Sequence, residues 1–230
     1  MYEELKKAVC QANLELKRQR LVTYSWGNVS GIDRRTGIVV IKPSGVPYDQ
    51  LSPDKMVLVD MTGKIIAPAL RPSSDTPTHL ELYRSFPSVG GICHTHSPEA
   101  TAWAQACREI PCLGTTHADF FYGPVPVTAS LTEEEIKGGY EVNTGKVIAR
   151  RFTDIDPGDM PAVLVANHGP FTWGRNCHKA VESAVVLEHL ARMALQTLVI
   201  NQGQPEISKA LLEKHYLRKH GKDAYYGQPQ

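Results

Sequence analysis

Along the first twenty residues, Leu5, Val9, Ala12 and Leu16 recur every three or four positions, with charged side chains between them. That period matches one face of a helix and predicts α-structure over residues 2–20. A polar loop carrying Trp26, Gly27 and Asn28 follows. After Gly37 a β-branched run at 38–42 predicts a strand, ended by a turn at Pro43, Ser44 and Gly45. Short apolar runs at 56–60 and 64–66 flank Gly63 and predict a hairpin. Thr76 is placed as the cap of a helix over 77–86, with Pro77 as its first residue. Residues 90–96 read as a short buried strand, and Pro98 opens a helix reaching about residue 107. Residues 110–130 mix proline, glycine and aromatics and read as loop and short strand. Thr132 and Glu135 have the spacing of a capping box. The apolar run 162–166 is a strand, broken at 167–170. The longest helix is expected over 177–201, with Val181, Ala184, Val185, Leu187, Ala191, Ala194, Leu195 and Leu198 as its stripe. The tail, 214–230, is basic and rich in tyrosine. No repeat or linker divides the chain, so the pattern predicts one mixed α/β or α+β domain, a sheet covered by helices.

Composition narrows this picture. Hydrophobic residues make up 42% of the 230 residues, enough for a real core. The balance of 25 basic and 24 acidic side chains argues against a nucleic-acid footprint. No apolar run reads as approaching the roughly 18–20 residues that cross a bilayer. The charged N-terminus lacks an apolar signal core, so no membrane partner and a cytoplasmic location are expected. The five cysteines are scattered without a Cys-x-x-Cys pair, which fits reduced, mostly buried thiols.

The candidate chemistry centres on histidine. His94 and His96 are two apart in a predicted strand, so both point to one face and can chelate one cation. The competing reading is a pair bonded to backbone at a strand end. His168 follows the apolar strand at a Gly-Pro loop, and Asp75 lies between two serines and a helix start. Three imidazoles and a carboxylate would suit zinc or another divalent first-row ion. A cupin also uses His-x-His, but Glu99 falls in a proline-opened helix, which speaks against it. Two loops, Lys42 to Gly45 and Pro72 to Asp75, offer hydroxyls, amides and a helix start to a phosphate, or serve as ordinary turns. Neither is a Walker loop, and no dinucleotide fingerprint is present. Asp119 stands among Phe120, Phe121 and Tyr122, either as a partly desolvated acid/base group or as an Asx-turn acceptor. His117, His178, His189 and His220 show no spacing partner.

These residues resemble a known family. Ser25-Trp26-Gly27-Asn28-Val29-Ser30, the run Lys42 to Gly45, Ser73 to His79, His94 to Ser97, Gly114 to Asp119 and Asn167 to Pro170 occur in this order in the class II sugar-phosphate aldolases and epimerases. The tail motifs 214–221 and 224–228 are similar to those of the family's pentulose-phosphate epimerases. The resemblance spans essentially the whole chain. It implies a central, mostly antiparallel sheet sandwiched between helix layers. It implies Zn2+ held by His94, His96 and His168, with Asp75 as a further ligand or near neighbour. Gly27, Asn28, Lys42, Ser44, Gly45, Ser73 and Ser74 would bind a phosphorylated pentulose, Asp119 and Tyr226 would be the acid/base pair, and His215 and Arg218 would support the site. It further implies a fourfold-symmetric homotetramer with sites between subunits, the tail from about 214 serving a neighbour. The expected reaction is epimerisation by breaking and remaking a carbon–carbon bond. The family's aldolases, which release their products, carry Glu at the place of Asp75. A metal-stabilised binding protein is the non-enzymatic alternative, and the cysteines are not arranged for a structural zinc.

Overall fold

The computed structural model describes residues 2–68, 70–222 and 224–226. In chain order the elements are α1 (Glu3–Arg18), β1 (Asn28–Asp33), β2 (Ile38–Ile41), β3 (Val57–Val59), β4 (Ile65–Ala67), α2 (Thr76–Ser85), β5 (Gly91–His94), α3 (Pro98–Gln105), α4 (Thr115–Ala118), α5 (Glu133–Lys137), α6 (Tyr140–Arg151), β6 (Ala162–Val165), β7 (Gly169–Gly174), α7 (Cys177–Ile200) and α8 (Lys209–His220). The strands form one sheet in the order β4-β3-β2-β1-β5-β7-β6. Every neighbouring pair is antiparallel.

Alternation along the strands sends apolar side chains to two faces. Val39, Ile41, Val57, Val59 and Ile92 meet Leu80 and Tyr83 of α2, Phe86 just past its end and Ile148 of α6 in one core. Val29, Ile38, Val40, Leu58 and Cys93 meet Val9, Ala12 and Leu16 of α1 and Cys177, Val181 and Ala184 of α7 in the other. The sheet is therefore sandwiched between helix layers. The capping box forms, with Thr132 accepting from the Glu135 amide and Glu135 reaching back. Cys10, Cys93, Cys112 and Cys177 are buried free thiols, while Cys107 is exposed.

Several expectations are corrected. Asn28 begins β1 and does not sit mid-loop. The strand was hidden because its centre, Ser30-Gly31, is chosen for contacts and not for β-propensity. A Cβ on Gly31 would stand 3.0 Å from the side chains of Leu5 and Val9, so glycine lets α1 lie on the sheet. The break at 167–170 is a tight turn through Asn167 (φ 61°) into β7. The proline at Pro170 is tolerated near the strand's start. The cap of α2 is Asp75, not Thr76. The basic tail contains α8, whose one buried residue, Tyr216, gives little amphipathic signal. Finally, α7 is by length and composition apolar enough to cross a membrane, against the expectation that no run comes close. Its stripe serves the core, where Leu187, Leu190, Ala191 and Ala194 are buried, but Leu195 is exposed. Glu188 is also buried, and its carboxylate accepts from the Glu99 and Ala100 amides at 2.9 and 3.0 Å, capping α3.

Candidate active site

Antiparallel pairing brings four chain segments to one end of the sheet. Asn28 pairs with His94, Ser30 with Ile41 and His94 with Phe171. The start of β1, the ends of β2 and β5 and the start of β7 therefore meet, carrying Asn28, Lys42, His94 and His168. Gly27 makes the approach possible. It has φ +72°, and a Cβ there would come within 2.8 Å of the His94 carbonyl. The two serine loops pair with each other through Ser73 N to Lys42 O and Ser44 N to Arg71 O, both 2.9 Å. The result is a cavity of about 640 Å³ lined by Ser25, Trp26, Gly27, Asn28, Lys42, Pro43, Ser44, Gly45, Ser73, Ser74, Asp75, His94, His96, Tyr140, Glu141 and His168.

His94, His96 and His168 offer ligand atoms that all lie within 4.8 Å of one another. Nitrogens around a zinc ion sit about 2.0–2.1 Å from it, so a small contraction would close the set on a common centre. The hydrogen bonds fit that role. His94 Nδ1 lies 2.9 Å from the Pro170 carbonyl, which can only accept, so Nδ1 carries a proton and Nε2 is the nitrogen left to a ligand. His94 Nε2 faces His96 Nε2 at 3.0 Å. Two lone pairs at that distance repel unless a proton or a cation lies between them. Burial, with the neighbouring rings of His94 and His96, pulls His168 down to about 3. Burial and His94 pull His96 down as well. Both rings are therefore neutral near pH 7, the form that binds metal.

Asp75 stands beside this set and not within it. Its Oδ2 accepts from Asn28 Nδ2 at 2.6 Å. Burial pushes the carboxyl up, but His94, His79, the Asn28 bond and His168 outweigh it and hold it below the usual range. The same Asn28 leaves its Oδ1 buried without a partner among the described residues, an acceptor waiting for a ligand donor.

Lys42 is 2% exposed. Its ammonium reaches only the carbonyls of Ser25 and Pro43, at 3.2 and 3.3 Å, and the Tyr48 ring. No carboxylate among the described residues pairs with it. A buried cation without an anion is costly, and burial pulls its pKa down to about 8. An anion in the cavity would restore the charged form. Inorganic phosphate affinity is therefore expected to fall about tenfold per pH unit above 8, as Lys42 loses its proton. Stability should move the opposite way. Between about 8 and the ordinary lysine value of 10.5, the unfolded chain holds a proton that the folded chain has lost, so stability rises with pH. Lys42→Met should remove both trends, read by calorimetric titration and by thermal melts. Phosphate affinity that stays flat through this window would take Lys42 out of the anion grip.

The remaining candidates gather elsewhere. Asp119, just past α4, accepts from Arg218 Nη2 and Nε at 2.8 and 3.1 Å and from His215 Nδ1 at 3.1 Å, with Lys219 at 3.6 Å. Burial pushes its carboxyl up, but Arg218, His215 and Lys219 outweigh that and keep it ionised. Tyr226 lies over Arg218 and Lys219 at 4.7 and 4.5 Å. Asp119, His215, Arg218 and Tyr226 thus form a second cluster, and none of them lines the histidine cavity. Tyr140 and Glu141 do line it and were missed. They open α6 just after Gly138-Gly139, in a stretch without a motif. The one signal was the capping box that announced a helical segment nearby.

The α/β domain thus brings into one cavity a buried lysine and three imidazoles that could hold a divalent metal. The family described as Class II Aldolase and Adducin N-terminal domain matches residues 7–195, and the chain belongs to it. Among solved structures it is similar to an L-fuculose 1-phosphate aldolase at 25% identity, covering 92% of this chain and 94% of that one with a TM-score of 0.76. It is also similar to YgbL of Klebsiella pneumoniae, a candidate aldolase/epimerase/decarboxylase, at 25% identity over 93% and 99% of the two chains, TM-score 0.72. The L-fuculose 1-phosphate aldolase of Glaciozyma antarctica PI12 shares the fold at 19% identity, over 96% and 84%, TM-score 0.77.

Proposed function

We propose that the chain is an L-ribulose-5-phosphate 4-epimerase, which interconverts L-ribulose 5-phosphate and D-xylulose 5-phosphate. The observation that carries this reading is the pairing, in one cavity, of three convergent imidazoles with a buried lysine that no acid among the described residues neutralises. The first suits Zn2+ and the second a phosphate. What favours an epimerase over an aldolase is the set of acids, Asp75 at the helix cap together with the Asp119 and Tyr226 pair of the second cluster.

The chemistry follows from the substrate. The hydrogen on C4 is not acidic, but the C3–C4 bond is β to the ketone. A base takes the proton of the C4 hydroxyl, the C3–C4 electron pair moves toward the ketone, and the chain separates into a three-carbon enediolate and glycolaldehyde phosphate. A divalent ion held by His94, His96 and His168 would supply Lewis-acid stabilisation of that negative charge. The aldehyde then turns its other face, the bond re-forms, and an acid on the opposite side returns a proton to oxygen. Two acid/base groups on opposite sides are needed, each worth about 10²–10⁴-fold. A carboxylate and a phenol, Asp119 and Tyr226, fill those places in this reading. Both Asp119 oxygens accept from Arg218 and His215, contacts that favour its ionised form and oppose its taking a proton. Lys42, Ser44, Ser73 and Ser74 hold the phosphate while the fragment turns.

The second cluster does not line the histidine cavity of its own chain, so this reading has a neighbouring subunit supply it, in a homotetramer with sites between subunits. The second reading is an aldolase, favoured by the L-fuculose 1-phosphate aldolase resemblance. One assay separates them. Incubation with L-ribulose 5-phosphate and Zn2+ is expected to give D-xylulose 5-phosphate as the main product. Net accumulation of glycolaldehyde phosphate and dihydroxyacetone would support the aldolase, and no conversion would defeat the epimerase.

A further inference from the structure

The three imidazoles are not held alike. His94 is fixed by backbone, through the Pro170 carbonyl. Its ring also stacks on Phe171 at 4.1 Å between centroids. His168 is fixed by a side chain. Its Nδ1 lies 3.1 Å from the Tyr140 hydroxyl, and the two rings face each other at 5.9 Å with an interplanar angle of 34°. His168 needs such a restraint. It stands in the three-residue turn between β6 and β7, half-buried, directly after Asn167 in the left-handed region. The His168 amide donates to the Val165 carbonyl at 3.0 Å and the Asn167 amide to the Ala104 carbonyl at 2.9 Å, but these bonds hold the backbone of the turn and leave the ring's orientation to side-chain contacts.

Tyr140 is itself mounted on a rigid support. It is the first residue of α6, and its carbonyl accepts from Thr144 Oγ1 at 2.8 Å. The next residue is tied to α2, where Thr78 Oγ1 donates to the Glu141 carbonyl at 2.6 Å. Gly145 brings the two helices so close that a Cβ there would stand 2.6 Å from Glu81 Cβ. The helix capped by Asp75 and the helix that begins at Tyr140 are thus packed tightly together beside the imidazoles.

We propose that Tyr140 is a positioning residue for the metal centre: its hydroxyl accepts the Nδ1 proton of His168, which fixes the tautomer and aims the bare Nε2 at the ion. A hydroxyl can donate or accept, so the direction of this bond matters. If Tyr140 donated to Nδ1, Nε2 would carry the proton and could not ligate. Acceptance by Tyr140 is the only arrangement compatible with metal binding through Nε2, and it leaves the phenolic O–H free to point into the cavity. The inference rests on the metal reading above and adds a residue that neither the motifs nor the fold had singled out.

Partners of this kind typically change metal affinity 10–100-fold when removed. Tyr140→Phe keeps the ring and deletes the oxygen. Cobalt(II) is the probe, followed by its visible absorption and by competition with a chromophoric chelator. Tyr140→Phe is expected to bind cobalt about 10–100-fold more weakly than wild type, with an altered spectrum and an unchanged melting temperature for the metal-free protein. In the zinc-loaded wild type, nitrogen-15 NMR of the histidine rings should show His168 protonated at Nδ1, which requires no variant. Wild-type affinity and spectrum in Tyr140→Phe, or a proton on Nε2 of His168, would overturn the role of Tyr140 while leaving the metal centre standing. Failure of the wild type to bind cobalt at all would overturn both.

Discussion

Replacing His96 by alanine is expected to abolish divalent-metal uptake and to lower turnover of L-ribulose 5-phosphate by at least about a thousandfold. The magnitude follows from the several kcal/mol a Lewis acid contributes to charge developing in a transition state, at 1.36 kcal/mol per decade. His96 is the right ligand to remove. His94 is buried and stacked on Phe171, so its loss would also damage the core. His96 is exposed to the cavity and contacts mainly the other imidazoles and, at 6.3 Å, the Trp26 ring. Truncation should therefore leave the metal-free melting temperature close to that of metal-free wild type. Zinc content by mass spectrometry and turnover should fall together. Undiminished turnover in metal-free His96→Ala protein would end the metal reading, whatever the fold resembles.

The sequence made much of this site legible because its groups are encoded as short-range chemistry. A histidine pair two apart on a strand announces a shared face, and Lys42, Ser44 and Gly45 mark a loop that the fold brings to the same cavity. The long apolar period of α7 and the capping box before α5 were legible for the same reason. What was hidden depends on distance in space. β1 carries Ser30 and Gly31 because Ser30 bonds to His79 and Tyr83 at 2.7 and 2.8 Å and Gly31 admits α1. Those are tertiary demands that erase a β-signature. β7 opens on glycine and proline, which locally read as a stop. Tyr140 meets His168 twenty-eight positions away, and nothing in its neighbourhood marks it. Chain spacing also gave no hint that the proposed site residues fall into two groups. His94 and Asp119 look alike as sequence candidates, but antiparallel pairing places one at the cavity and α8 draws the other into a basic cluster.

That separation yields the second large effect. Tyr226→Phe is expected to lower epimerisation about 10²–10⁴-fold, the worth of one acid/base group, while zinc content stays at the wild-type level. Tyr226 is 58% exposed, so the change should leave folding untouched. The phenol lies over Arg218 and Lys219, which hold Asp119, and this group does not line the histidine cavity of its own chain. If the tail completes a neighbour's site, two inactive variants should complement each other. In an assembly of His96→Ala and Tyr226→Phe chains mixed one to one, a site needs intact histidines from one chain and an intact tail from another. Random assembly provides both in about one quarter of the sites. Denaturing and refolding the two variants together should therefore recover about a quarter of wild-type turnover, although each refolded alone stays inactive. A site completed within one chain allows no such rescue, because every chain in the mixture would lack either its histidine or its tyrosine. A dead mixture of otherwise folded, assembled protein would move the acid/base pair back into the same chain, and the tail would then have to relocate from the Asp119 cluster to the cavity.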